Sequence, residues 1–205
     1  MRDILEPGQT YHIFNRGNNR EDIFKEERNY VFFLELMKKY LLPSAEIYAY
    51  CLMKNHYHLL LRFKEKQTSE VFETSDVLTK TSDVLTDISK KPHRALANML
   101  TAYSKSINKA YHRSGSLFQQ HPKKCRITDK NYFIQTVVYI HMNPVKHGFT
   151  TSLDYPHSSY RAIISDKPTL LKRDVVLDYF DDVENLIAWH DYKKIQHEMI
   201  QKLEY

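Results

Sequence analysis

Residues 46–63 read EIYAYCLMKNHYHLLLRF, two runs of aromatic and aliphatic residues separated by a short polar break. Runs of this composition favour strands, and the break near Met53-Lys54-Asn55 suits a tight turn. The segment therefore predicts two strands joined by a hairpin.

The residues that precede the hairpin predict one strand and one helix. TYHIFNR at residues 10–16 alternates in the manner of a strand and leads into a turn at Gly17-Asn18-Asn19. Between about residues 26 and 41, apolar residues recur at i, i+3, i+4, i+7 and i+8, which is the spacing of one buried helix face. Pro43 then ends this helix.

The residues that follow the hairpin predict a helix, a strand and another helix. Apolar residues at helical spacing indicate a second helix over about 93–112, and PKKCRI at 122–127 resembles a strand. A third helix is expected to begin at a cap on Thr128 or Asp129 and to end at Asn143-Pro144. The order strand, helix, hairpin, helix, strand, helix favours an α+β fold, an antiparallel sheet with helices on one face.

Two further regions do not belong to this pattern. TSDVLT occurs at residues 74–79 and again at 81–86, so the stretch from about 65 to 92 is interpreted as a duplicated surface insertion. Beyond Gly148, a short helix is expected near 173–180, followed by a longer helical stretch without an obvious apolar stripe.

Composition limits the function only broadly. The 205 residues include 30 Lys and Arg against 25 Asp and Glu, a net charge of +5, and the 15 tyrosines help raise the aromatic content to 13%. A basic, aromatic-rich chain permits nucleic-acid binding without establishing it. With two cysteines, no apolar leader and no run of 18 apolar residues, the default expectation is a cytoplasmic protein without a membrane partner.

The clearest candidate site is the pair His56 and His58. Side chains two residues apart on a strand share a face, about 7 Å from each other, so both imidazoles can converge on one metal ion. The alternative is two half-buried histidines on a polar sheet face, and the pair taken alone favours this alternative.

Tyr139 and Asn143 form a second candidate pair on the third helix. Residues four apart lie one turn from each other on the same face, although Pro144 disfavours helical geometry at Asn143. A tyrosine hydroxyl becomes an effective nucleophile when a metal or a base assists it, and an amide oxygen can ligate a metal. Taken alone, Tyr139 favours a packing role.

Taken together, these segments resemble a known enzyme family. NHYHLLLR at 55–62 resembles the histidine-hydrophobic-histidine motif of single-tyrosine HUH transposases, and YIHMNPVKHG at 139–148 resembles their tyrosine helix. The Asn-Pro-Val sequence is similar to that of REP-associated tyrosine transposases. TYHIFNRGNNR, HRSGSLFQQHPKK and SSYRA match the family pattern in the same order, so the resemblance covers roughly residues 9–165.

The resemblance implies a fold, a reaction and a division of the chain. The fold would be a ferredoxin-like or RRM-like sheet in a catalytic domain at 1–165, with a helical C-terminal extension at 166–205. The reaction would be metal-dependent cleavage and strand transfer of single-stranded, hairpin-forming DNA through a 5′-phosphotyrosine. By this resemblance Tyr139 is the nucleophile, while His56, His58 and Asn143 hold Mg²⁺ or Mn²⁺. Members of the family act as homodimers or alone, so the oligomeric state stays open.

Basic and amide side chains offer candidate contacts to nucleic acid. One group lies in the turn after the first strand, one on the second helix at a spacing of four residues, and one in the last strand. The candidates are Arg16, Asn18 and Asn19 in the turn, Lys105, Lys109 and Arg113 on the helix, and Lys123, Lys124 and Arg126 in the strand. Taken alone, each basic group is more often a solvated surface.

Two other functions compete with this one. A nucleic-acid-binding module of the same fold without cleavage would need neither the histidine pair nor Tyr139. A zinc hydrolase or structural zinc site would recruit His141 or Cys125 beside His56 and His58, and would form no covalent DNA adduct.

Overall fold

The computed structural model describes residues 4–65 and 92–203, with side-chain surroundings given up to residue 194 and for Gln196. The strands are β1 (Thr10–Arg16), β2 (Ala45–Met53), β3 (His56–Phe63) and β4 (Lys123–Ile127). The α-helices are α1 (Glu27–Tyr40), α2 (Pro92–Ala110), α3 (Lys130–Lys146), α4 (Tyr160–Ile164), α5 (Arg173–Phe180) and α6 (Val183–Leu203), and a 3-10 turn covers Asn18–Arg20. The duplicated TSDVLT segment lies outside the described residues.

The four strands form one antiparallel sheet in the order β2-β3-β1-β4. With the chain order β1-α1-β2-β3-α2-β4, this is the ferredoxin-like arrangement, so the predicted α+β class is confirmed. The order places β1 in the centre beside β3, with His58 opposite Phe14 and His56 opposite Arg16. The centre of the sheet therefore carries the histidine pair and the N-terminal motif side by side.

Helices α1 and α2 pack on one face of this sheet, as the sequence predicts. Tyr57, Leu59 and Leu61 of β3 point into a core shared with Phe33 of α1 and Tyr103 of α2. Burying such large side chains contributes roughly 1.5–3 kcal/mol each, which fixes the strand register on this face.

The expectation of helices on one face is incomplete, because α3, α5 and α6 cover the other face. β2 and β3 bury residues on both sides, which requires a second helical layer. Cys51, Met53 and Leu60 lie in this second core with residues of α3, α5 and α6. The helical residues in that core include Phe133, Ile134, Val137, Ile140, Val176, Phe180 and Leu186. The C-terminal helices thus share a core with α3, and the division of the chain at residue 165 stays a prediction.

A buried hydrogen-bonded chain joins α3, α6 and β2 within this second layer. The Leu186 carbonyl can only accept, so His190 Nδ1 donates to it over 2.7 Å. His190 Nε2 then accepts from His141 Nδ1 at 2.9 Å, and His141 Nε2 accepts from the Ser159 hydroxyl at 2.8 Å. Ser159 Oγ in turn accepts from the backbone N–H of Tyr50. Each ring is neutral in this arrangement, and these hydrogen bonds anchor α6 beside α3.

The buried His190 predicts a loss of stability in acid. Burial lowers the pKa of His190 from its ordinary 6.5 to about 4, so below pH 6.5 the unfolded chain takes up a proton that the folded chain rejects. The stabilisation is complete above pH 6.5 and is lost progressively as the pH falls towards 4. We expect the free energy of unfolding in urea to fall by about 2–3 kcal/mol between pH 7 and pH 4.5 from this residue. His190→Gln should lower the stability at pH 7 and reduce its dependence on pH. An equally steep pH dependence in that variant would contradict the assignment.

Gly17 allows the turn that follows β1. Its N–H donates to the Asn55 carbonyl at 2.8 Å, which ties the turn to the β2–β3 hairpin. A Cβ atom on Gly17 would lie 2.1 Å from the carbonyl oxygen of Glu21, so no side chain fits without a backbone shift.

We expect Gly17→Ala to destabilise the protein by about 1–3 kcal/mol, the usual cost of overpacking. Chemical denaturation would measure the loss. Gly148→Ala differs in cause, because a Cβ there meets nothing within 4 Å and the cost is backbone strain at a φ of +70°. Unchanged stability in Gly17→Ala would contradict the close approach to Glu21.

No helix among the described residues is long and apolar enough to cross a bilayer.

Candidate active site

His56 and His58 lie on the face of β3 that is turned towards α3. His58 is buried and His56 is half-buried, with their ring centroids 5.4 Å apart. The strand alternation predicts this shared face, since Leu60 on the same side packs into the second core while Tyr57 and Leu59 pack into the first. The two imidazoles therefore meet on one side of the sheet.

Hydrogen bonds hold one nitrogen of each ring. His56 Nδ1 lies 2.6 Å from the Asn55 amide oxygen, which only accepts, so Nδ1 carries the proton. His58 Nδ1 lies 2.9 Å from Nε2 of His12 on the neighbouring strand β1. In both rings Nε2 is the nitrogen that remains for a metal, and a hydrogen bond behind a ligating histidine is the usual way its orientation is fixed.

The rings are also neutral, as metal ligation requires. Burial, with smaller contributions from His147 and Arg16, lowers the pKa of His56 to about 4. Burial, with His12 and His56 nearby, holds the pKa of His58 well below its usual range.

Tyr139 stands at the edge of the same site. Its side chain is 40% exposed, whereas neighbours on α3 such as Val138 and Ile140 are buried. The tyrosine ring meets His12 and His58 edge-on, with centroid distances of 5.8 and 5.6 Å. The sheet and α3 thus bring the predicted nucleophile to the predicted metal ligands, from segments about 80 residues apart in sequence.

The third helix extends further than predicted. The sequence predicts an end at Asn143-Pro144, but α3 continues through Pro144 to Lys146. One residue before the proline, Asn143 Nδ2 donates to the Tyr139 carbonyl at 2.7 Å. The last turn is closed by the His147 N–H, which donates to the Asn143 carbonyl.

This bond leaves the Asn143 amide oxygen buried without a hydrogen-bond partner. An orphaned buried acceptor is costly, and a cation is one partner that would satisfy it. Within residues 4–65 and 92–203, no three His, Cys, Asp or Glu side chains are arranged to hold a metal ion. A metal on the histidine pair would therefore need a ligand of another kind, and an amide oxygen is one.

The site opens into a pocket of about 390 Å³. Its lining combines the histidine pair and Tyr139 with basic, amide and aromatic side chains from β1, β4 and the loops. The lining residues are Phe14, Asn15, Arg16, Asn55, His56, His58, Gln119, Lys123, Tyr139, His147 and Phe149. Asn143 lies beneath this surface rather than in it.

Two residues next to the histidine pair were not found by sequence reasoning. His12 supports His58 from β1, and His147 lies with its ring 4.9 Å from that of His56. His147 follows Tyr139 by eight residues, just over two helical turns, and this spacing was the available signal. The position of His12 depends on β1 pairing with β3, which the sequence does not specify.

The predicted nucleic-acid contacts separate into two groups. Arg16 and Lys123 line the pocket, and Lys123 Nζ lies 5.9 Å from the Phe14 ring centre. Asn18 and Asn19 lie in the 3-10 turn that follows Arg16, close in sequence to the pocket edge.

The remaining candidates lie elsewhere. Lys105, Lys109 and Arg113 belong to the region of α2, on the opposite face of the sheet, where Arg113 pairs with Glu21. In β4, Lys124 pairs with Ile13 and Arg126 with Tyr11, residues whose side chains face the α1–α2 core. The sequence spacing predicts all of these residues as nucleic-acid contacts. The pleat of β4 turns Lys124 and Arg126 away from the pocket, and Arg113 is paired with Glu21.

The zinc alternative is not supported by the positions of its ligands. His141 is fully buried between His190 and Ser159. Cys125 lies on β4, opposite His12 of β1. Neither completes a three-ligand set with His56 and His58 among the described residues.

Comparison with known proteins supports the fold. No protein-family model and no curated protein matches the chain. A solved structure of a REP-associated tyrosine transposase bound to a REP hairpin aligns with a TM-score of 0.53 and 16% identity, over 82% of this chain and 87% of that one. A bacterial tRNA(His) guanylyltransferase (Thg1)-like protein in complex with GTP aligns with a TM-score of 0.34 and 13% identity, over 76% and 74% of the two chains, which is too distant to indicate a shared fold. The chain has the fold of a REP-associated tyrosine transposase.

Proposed function

We propose that the protein is a metal-dependent endonuclease and strand transferase for single-stranded DNA, acting through Tyr139 on hairpin-forming substrates. The observation that supports this most is the exposed Tyr139 ring edge-on to His58, at the mouth of a pocket that also contains His56. A binding module has no need of an exposed tyrosine beside two histidines with free Nε2 atoms. The structurally similar transposase was solved with a DNA hairpin, which favours the same class of substrate here.

His56, His58 and the Asn143 amide oxygen would hold the metal. The neutral, oriented imidazoles and the orphaned buried oxygen suit such a role. Magnesium or manganese would supply Lewis-acid polarisation of the scissile phosphodiester when bound.

The remaining chemistry belongs to side chains of the chain itself. The Tyr139 hydroxyl oxygen forms a bond to phosphorus, the bond from phosphorus to the 3′ oxygen breaks, and the tyrosine proton is lost while the 3′ oxygen gains one. The products are a 5′-phosphotyrosine and a free 3′-hydroxyl. A 3′-hydroxyl can attack this linkage in the reverse sense, which reseals DNA and restores Tyr139. Arg16 and Lys123 would hold phosphates in the pocket.

The test is an incubation of the protein with a labelled pool of single-stranded hairpins, with Mn²⁺, Mg²⁺ or a chelator, followed by a denaturing protein gel. We expect a labelled band at the mass of protein plus DNA that requires the metal. The same sequences as complete duplexes form the control and should give no band. A hairpin pool that binds tightly and yields neither adduct nor cut DNA would contradict the proposal in favour of a binding module.

A further inference from the structure

A second cavity adjoins Tyr139 and is not used by the chemistry above. Its volume is about 380 Å³, and it shares a single lining residue, Tyr139, with the histidine pocket. It lies between α3 and α6, and we call it the α3–α6 groove. Its lining residues are Gln135, Val138, Tyr139, Met142, Lys146, Trp189, Lys193 and Gln196.

Each helix contributes one continuous face to the groove. On α6, Trp189, Lys193 and Gln196 follow at intervals of four and three residues, which places them on one side of the helix. On α3, the same intervals connect Tyr139, Met142 and Lys146. Because this face of α6 combines aromatic, basic and amide side chains, the sequence shows no apolar stripe there.

Trp189 is held in the groove by its neighbour in sequence. His190 is fully buried and bonded to His141 of α3, so the rotation of α6 against α3 is fixed. Trp189 precedes His190 by one residue, which is a rotation of about 100° around the helix axis, so its side chain points out of the core. The indole is 40% exposed and forms a preorganised aromatic surface.

The charge of the groove suits an anion. Lys146 Nζ lies 4.7 Å from the centre of the Tyr139 ring, and Lys193 follows Trp189 by one turn. Burial lowers the pKa of Lys146, and the nearby Lys193 lowers it further, so a phosphate between these ammonium groups would relieve their repulsion. Among the described residues that line the groove, none is acidic.

We propose that the α3–α6 groove binds single-stranded DNA next to the phosphate that Tyr139 attacks, with a base stacked on Trp189 and phosphate held by Lys146 and Lys193. The position relative to the cut rests on the proposed function, whereas the binding itself does not. An unpaired base is required, because the bases of a duplex already stack on each other. Gln135 adds an amide group that can bond to base edges or sugars, whereas the amide of Gln196 is bonded to Lys193 and Tyr192.

The first measurement uses the intrinsic fluorescence of Trp189, which is the only tryptophan in the sequence. The full-length protein is titrated with an unlabelled oligothymidylate in the presence of a chelator, so that no cleavage occurs. A base stacked on the indole should quench its emission, and the effect should weaken as salt is raised. Unchanged emission at saturating oligonucleotide would overturn the proposal.

The second measurement compares the affinities of variants for a dye-labelled oligothymidylate. We expect Trp189→Ala to weaken binding by about 5- to 100-fold and Trp189→Phe to restore most of it, because a phenyl ring still stacks. Lys146→Ala combined with Lys193→Ala should weaken binding and flatten its salt dependence by about 1.4 in the slope of log K against log salt.

The matched control removes two positive charges from the other side of the sheet. Lys38 and Lys39 lie exposed in the last turn of α1, and their double substitution by Ala should change the affinity less than about twofold. Equal effects of the two double variants would mean that only net charge matters, and would overturn the proposal that DNA binds in the α3–α6 groove.

The two proposals can fail separately. A wild-type protein that forms the DNA adduct, but whose affinity is unaffected by the Trp189 and lysine substitutions, would retain the cleavage function and exclude the groove. Quenching and the variant effects without any adduct would retain the groove as a single-stranded DNA site and exclude cleavage by Tyr139.

Discussion

Tyr139→Phe is expected to abolish the covalent DNA adduct and to reduce strand cleavage by more than about a thousandfold. Phenylalanine lacks the oxygen that attacks phosphorus, but it keeps the ring that packs edge-on against His12 and His58. Because the side chain is 40% exposed, stability should change by less than about 0.5 kcal/mol. Adduct yield and release of the labelled 5′ fragment, which ends in the free 3′-hydroxyl, measure the effect, and anisotropy should show DNA affinity largely retained.

Tyr132→Phe is the matched control for this substitution. Tyr132 lies seven residues before Tyr139 on the same helix face and is 38% exposed. Its hydroxyl lies outside the histidine pocket, so its removal should leave cleavage within about twofold of wild type. Cleavage that survives Tyr139→Phe but is lost in Tyr132→Phe would contradict the assignment of the nucleophile.

His56→Ala has the second largest expected effect, a loss of metal-dependent cleavage of at least about a hundredfold. The half-buried ring presents Nε2 to the site, and its removal leaves a metal with one histidine. Calorimetric titration with Mn²⁺ should show weakened binding, and higher metal concentrations should restore part of the activity.

Variants of two neighbouring residues test which side chain is the third ligand. His147 lies next to His56 but outside the proposed ligand set, so His147→Ala should retain most of the Mn²⁺ affinity. Asn143→Asp keeps an oxygen at the buried position and should bind Mn²⁺ at least as tightly as the wild type. Loss of Mn²⁺ binding in His147→Ala, with Asn143→Ala unaffected, would exclude the amide ligand.

The sequence predicts most elements of the sheet domain because their patterns are local. Alternation and helical spacing identify β1, α1, the β2–β3 hairpin, α2 and β4 to within a few residues. The shared face of His56 and His58 follows from strand geometry alone. The role of Tyr139 as a nucleophile came from the resemblance and still awaits its test.

Other features depend on contacts between distant segments. The position of His12 behind His58 requires the strand order, and the second helical layer requires burial on both sides of β2. Helix α3 continues through Pro144 to Lys146, whereas proline propensity alone predicts an end there. The spacing of Arg113 predicts a place in a basic stripe, but Glu21, 92 positions away, pairs with it.

The most direct test of the account is to identify the residue that carries the DNA. The adduct formed with a labelled hairpin is digested with protease and nuclease, and the modified peptide is sequenced by mass spectrometry. We predict a nucleotide attached through its 5′-phosphate to Tyr139, together with a free 3′-hydroxyl on the released fragment. Attachment to another residue, or cleavage that leaves a 5′-phosphate without any linked peptide, would contradict the proposed mechanism.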